Sequence, residues 1–257
     1  MRFILLLLLS TLLTACKLPE PLTAKQVLDS VYPQYDAKHA CWVADDKVSN
    51  PYCMKLDSEK LLHLSSGDRL YVLVAGEMVD ENGVWNGSHA NAGLVGAFVA
   101  EKISGKTKII AANANIPSGT FGQAPNGWKL VQLGANDYWG WLNSWGDCHQ
   151  GDCGSFYSIF VPYGKSIKDT GLVTQSVDNT GACADDEDVC SKTTVKLEST
   201  LKIDTSNQDA RVYPLQITVT GLNQGIKIKP TIWTLTFNTK KWAYQEPKDY
   251  PLSGRDF

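Results

Sequence analysis

Apolar residues follow three different spacings along the chain, and each predicts a different kind of element. Residues 3–13 are an unbroken apolar run apart from Ser10 and Thr11. Val27, Leu28, Val31 and Tyr32 then recur at helical spacing, and from Arg69 onward apolar residues come in short runs or alternate with polar ones. The helical set predicts a helix over 22–32. Thr23 with Gln26 three positions on has the form of a capping box, and Pro33 closes the segment. A second helical turn or two is expected around 58–64.

Everything later reads as strand. Residues 70–75 and 93–99 are apolar throughout, with the turn signal Asp80-Glu81-Asn82-Gly83 between them, and Ser104-Gly105-Lys106 turns the chain into 108–111. Further strands are expected at 128–133 and 156–161, the second buried on both faces. Val195, Leu197, Leu201 and Ile203 alternate in one strand and Leu215, Ile217 and Val219 in the next, which predicts a single wet face. The alternation at Ile226, Ile228 and Ile232 then shifts phase to Trp233, Leu235 and Phe237, as a bulge near 230–232 would produce. Asn238-Thr239-Lys240 turns into a last strand carrying Trp242 and Tyr244.

The expected fold is therefore mainly β in an α+β arrangement: antiparallel hairpins and a meander, one N-terminal helix, and loops stapled by disulfides. Apolar density falls over 164–193, so the globular region 22–257 divides there if it consists of two β subdomains; the alternative is one long loop.

The apolar run at the start follows one cation, Arg2, and is too short for the roughly 20 residues a spanning helix needs. It reads as a signal peptide over 1–15. Leu13-Thr14-Ala15-Cys16 resembles the lipobox of bacterial lipoproteins, in which the cysteine thiol is acylated and the chain is cut just before it. That resemblance implies a tether over 16–21 lipidated at Cys16, with fatty chains such as palmitate holding the protein at a membrane, since each buried methylene contributes about 0.8 kcal/mol. Position 17 is Lys rather than the Asp that retains Gram-negative lipoproteins at the inner membrane, so the outer membrane is the expected address. The alternative is an ordinary secretory peptide cut near Ala15, which leaves a seventh, odd cysteine. The phrases at 71–76 and 93–98 also resemble uncharacterised Gram-negative lipoproteins, which implies no activity.

Export makes disulfides the expected state of Cys41, Cys53, Cys148, Cys153, Cys183 and Cys190. They fall in three local pairs, and sequential pairing (41–53, 148–153, 183–190) closes the smallest loops. The net charge of −3 becomes −4 once Arg2 leaves with the leader, so there is no basic stripe for nucleic acid.

Catalytic chemistry finds little support in the sequence. There is no G-x-S-x-G elbow, no H-E-x-x-H pair and no Walker loop. Asp152-Cys153-Gly154-Ser155 is close to the Asp-Cys-Ser-Gly start of a family of cell-wall cysteine peptidases. The Gly and Ser are reversed, however, no histidine follows the cysteine, and a disulfide would consume the thiol. His89, in the Gly-rich connection 88–93, is a candidate base without an identifiable acid partner. Cys148, His149 and Cys153 lack the further ligand a zinc site needs. The acidic run 185–188 lacks the alternating ligands and turn glycine of a calcium loop. No metal and no cofactor are expected.

The strongest local anomaly is 136–147, where three of the eight tryptophans fall within seven residues. Tyr138, Trp139, Trp141 and Trp145, flanked by Asn, Asp and Gly, form a candidate platform for a glycan or an envelope protein, because aromatic rings give large contact area with few rotors to freeze. Trp139 and Trp141 also share the period of one strand face and fit a core equally. The sequence thus predicts a lipid-anchored, non-catalytic binding or interaction protein of the cell envelope; the alternative is an envelope hydrolase acting on cell wall or its fragments.

Overall fold

A computed structural model describes residues 21–45, 50–182, 190 and 192–254. Cys16, Cys183 and the acidic run 185–188 lie outside the described residues. The first described element is α1 (Ala24–Val31). Thr23 caps it, its hydroxyl accepting from Gln26 N at 3.4 Å. The Gln26 side chain is used elsewhere: its Oε1 accepts the Thr107 hydroxyl at 3.0 Å and ties the first turn to the sheet. Val27, Leu28 and Tyr32 are buried, as the helical spacing predicts. None of the described helices is long and apolar enough to cross a membrane.

Fourteen strands follow: β1 (Gln34–Asp36), β2 (Cys41–Asp45), β3 (Pro51–Leu64), β4 (Gly67–Met78), β5 (Gly93–Ile103), β6 (Lys106–Ser118), β7 (Lys129–Gly134), β8 (Tyr138–His149), β9 (Asp152–Tyr163), β10 (Ser166–Asp178), β11 (Val195–Ile203), β12 (Leu215–Asn223), β13 (Ile226–Asn238) and β14 (Ala243–Gln245). All are linked by hydrogen bonds, antiparallel except for one parallel bridge between β6 and β10. The fold is mostly β with antiparallel hairpins, as the sequence predicts. Ser104 and Gly105, both at positive φ, make the two-residue turn from β5 to β6, and the phase shift in β13 is a bulge opposite Val219 and Gly221.

The apolar runs of β4 and β5 are explained by burial on both faces. Leu70, Val72, Val74 and Phe98 pack under α1, while Tyr71, Leu73, Val95, Ala97 and Val99 meet Trp128, Trp141 and Phe160 on the other side. The sheet that carries Trp141 and Phe160 is itself covered twice, since Tyr157, Ile159 and Val161 of β9 face Leu197, Leu215, Ile217, Val219 and Leu235. The molecule is thus a stack of α1, the β1–β6 layer, the β7–β10 layer and the β11–β14 layer, with an apolar core between each pair. Burial on both faces removes the period-two signal, and the outer layer, wet on one side, keeps it.

Two expectations need correction. Residues 58–64 are strand, not helix: they pair with 67–73 through the Ser65–Ser66 turn, because β4 requires a hydrogen-bonded neighbour along its whole length. Residues 166–178 are not loop. They form β10, which bridges β6 at Ser166, pairs with β9 along its body and pairs with β11 at Ser176–Asp178. This strand is polar yet partly buried. Thr170 is 3 % exposed and donates to the Ile159 carbonyl at 3.1 Å, so composition conceals it.

Candidate functional site

Strand alternation puts Tyr138 on one face of β8 and Trp139, Trp141 and Trp145 on the other, and only Trp145 lies beyond the core. Trp141 is fully buried, edge-on to Tyr71 at 5.7 Å, and Trp139 packs against the same core. Tyr138 points to the opposite core, where its hydroxyl donates to the Pro162 carbonyl at 2.7 Å and burial raises its phenol from 10.0 to about 12. These three build layers. Trp145 alone reaches an open site.

Trp145 stands opposite Phe156 on β9, and Phe156 stands opposite Thr174 on β10, so the three form a row across adjacent strands. The Trp145 and Phe156 ring centres are 5.5 Å apart. The Trp145 indole N–H donates inward to Ser158 Oγ at 2.8 Å. The row lines a cleft of about 740 Å³ that Lys241, Tyr244 and Glu246, from the turn and strand at 241–246, also line. Tyr244 is likewise tied inward, its hydroxyl donating to the Tyr213 carbonyl at 3.2 Å, and burial raises its pKa. The volume is within the range of small-molecule sites.

A second cluster lies at the far end of β8, where the loops 79–92 and 119–128 meet the β8–β9 hairpin. His89 Nε2 is 3.1 Å from Asp147 Oδ2, and Thr120 Oγ1 donates to the same oxygen at 3.2 Å and contacts the His89 carbonyl at 3.1 Å. The His89 ring is edge-on to Phe121 at 4.7 Å and 5.5 Å from that of His149. Phe121 is 41 % exposed with φ +54°, a strained conformation for a bulky residue, and its carbonyl accepts the Trp85 indole N–H at 3.1 Å. Gly87 permits this approach, since a Cβ there would sit 2.0 Å from the Phe121 oxygen. His89 therefore has the acid partner that the sequence leaves unidentified. Asp147 and His149 flank Cys148 in the sequence, but only the fold brings them to the 79–92 loop.

Disulfides join Cys41 to Cys53 and Cys148 to Cys153. Cys190 is disulfide-bonded, and its expected partner Cys183 is outside the described residues. Cys153 consequently offers no thiolate. Among the described residues no three His, Cys, Asp or Glu side chains are grouped to hold a metal ion. No protein family, no curated protein and no solved structure matches the chain.

Proposed function

We propose that the protein is a non-catalytic binding protein of the bacterial envelope, anchored by lipid at Cys16, with its ligand seated in the cleft between Trp145 and Tyr244. The observation that carries this reading is the cleft itself: the Trp145–Phe156 pair on a rigid three-strand floor, in a cleft that Tyr244, Lys241 and Glu246 also line. Rigid strands hold such rings in place before the ligand arrives, which lowers the cost of binding. The address rests on the lipobox resemblance and on Lys17. The test uses the soluble body from Lys17 onward and its Leu172→Arg variant, which places a long charged side chain in the cleft. Purified sacculi and detergent-solubilised outer membrane are the probes. Retention of one of them by the wild type, lost in Leu172→Arg, supports the reading; retention of neither overturns it.

A second reading has one observation in its favour. The His89–Asp147 contact is the pairing that orients an imidazole as a base, with Nε2–H donated to the carboxylate and Nδ1 left to accept a proton. An envelope hydrolase would use it. Release of soluble fragments from sacculi, abolished by His89→Ala, would replace the binding reading with this one.

A further inference from the structure

The chemistry of the cleft narrows its ligand. Trp145 and Tyr244 both line the cleft and both donate their polar hydrogens elsewhere, to Ser158 and to the Tyr213 carbonyl, so what they offer a ligand is apolar ring. Phe156 adds a third ring beside Trp145. A ligand that lies on such surfaces must offer flat patches of C–H bonds. Thr174 of the same row and Lys241, Gln245 and Glu246 beyond it supply hydrogen-bond donors and acceptors and carry one charge of each sign. The described lining carries no net charge and so gives no preference to an anionic or a cationic partner. The required molecule is neutral, presents flat C–H faces and is rich in hydroxyl or amide groups at its edges. Sugar rings meet all three conditions.

We infer that the Trp145–Tyr244 cleft binds a neutral oligosaccharide segment, with one sugar ring lying on Trp145 and bordered by Phe156, whose ring is tilted 51° to it. This rests on the binding-protein reading and adds the ligand class to it. The floor requires no rearrangement, because Trp145 is fixed by its bond to Ser158 and by its cross-strand neighbour. Leu172, 47 % exposed at the cleft, extends the apolar part of the surface.

The experiment is a titration of the soluble body, followed by tryptophan fluorescence and calorimetry, with tetra-N-acetylglucosamine, cellotetraose and maltotetraose. A neutral tetrapeptide is the competing class. At least one sugar is expected to bind saturably, with Trp145→Ala weakening it about tenfold or more and Trp145→Phe retaining most of the affinity. Gln245→Ala, at the exposed rim, gives a second measure that does not depend on the floor's stability, and it too should weaken binding. Binding of none of the three sugars overturns the inference, as does peptide binding sensitive to Trp145→Ala. If the sugars fail while sacculi or outer membrane are still retained in a Leu172→Arg-sensitive way, only the ligand class falls. If both fail, the binding-protein reading falls with it.

Discussion

Asp147 Oδ2 lies 3.1 Å from His89 Nε2 and also accepts the Thr120 hydroxyl, while the other carboxylate oxygen accepts Cys148 N–H at 2.7 Å. One side chain thus holds the 79–92 loop, the 119–128 loop and the β8–β9 hairpin together. Asp147→Ala is expected to cost about 1–2 kcal/mol in urea unfolding, because a partly shielded acceptor serves three donors. His89→Ala removes one exposed partner and should cost about 0–1 kcal/mol. Equal losses would mean that Asp147 does not organise the loops.

The two tryptophans of β8 should separate cleanly in stability. Trp141→Ala empties a fully buried position against Tyr71 and is expected to cost about 3–5 kcal/mol. Trp145→Ala removes a partly exposed ring and one hydrogen bond, for about 1 kcal/mol. Denaturant midpoints at unchanged slope provide the measurement.

The Cys148–Cys153 bridge closes a ring of sequence separation 5 at a hairpin whose strands already pair up to His149 and Asp152. So small a ring restricts the unfolded chain little, and the double change Cys148→Ser with Cys153→Ser should cost about 2 kcal/mol or less. The fold should survive, with faster amide exchange confined to 147–153.

Alkali should unfold the protein through its tyrosines. Burial raises Tyr32, Tyr138, Tyr244 and Tyr250, Tyr138 to about 12 from 10.0. The folded chain then keeps protons that the unfolded chain releases, so the stability contributed by the neutral phenols is complete below pH 10 and is lost as the pH rises through about 12. Phenolate absorbance should rise together with loss of the tertiary circular dichroism signal over that window. Tyrosines that ionise fully while the fold persists would contradict the burial assigned to them.

Anchoring should depend on Cys16. Cys16→Ser is expected to move the protein from the membrane fraction to the soluble one. If the variant remains in the membrane in high salt, lipid at this position is not the anchor.

The sequence by itself determined those features that depend on short-range chemistry. Val27, Leu28 and Tyr32 give α1 by their spacing, Ser104-Gly105 gives a turn because its backbone angles suit few other pairs, and nearby cysteines give the 41–53 and 148–153 bridges because small loops close at least cost. The alternation in β11 and β12 is legible because one face is wet. Tertiary structure decided the rest. β10 is invisible locally because a polar residue such as Thr170 can be buried there only by donating to a carbonyl of β9, and 58–64 is strand only because β4 must be paired. The aromatic cluster of β8 reads as one feature, yet the two-residue repeat of a strand sends Tyr138 to one face and Trp139, Trp141 and Trp145 to the other, and only position along the strand puts Trp139 and Trp141 in a core and Trp145 beyond it, at the cleft. Asp147 and His89 are separated by long stretches of chain, and the contact between them exists because the β4–β5 hairpin, the 119–128 connection and the β8–β9 hairpin meet there, a relation that no local pattern encodes.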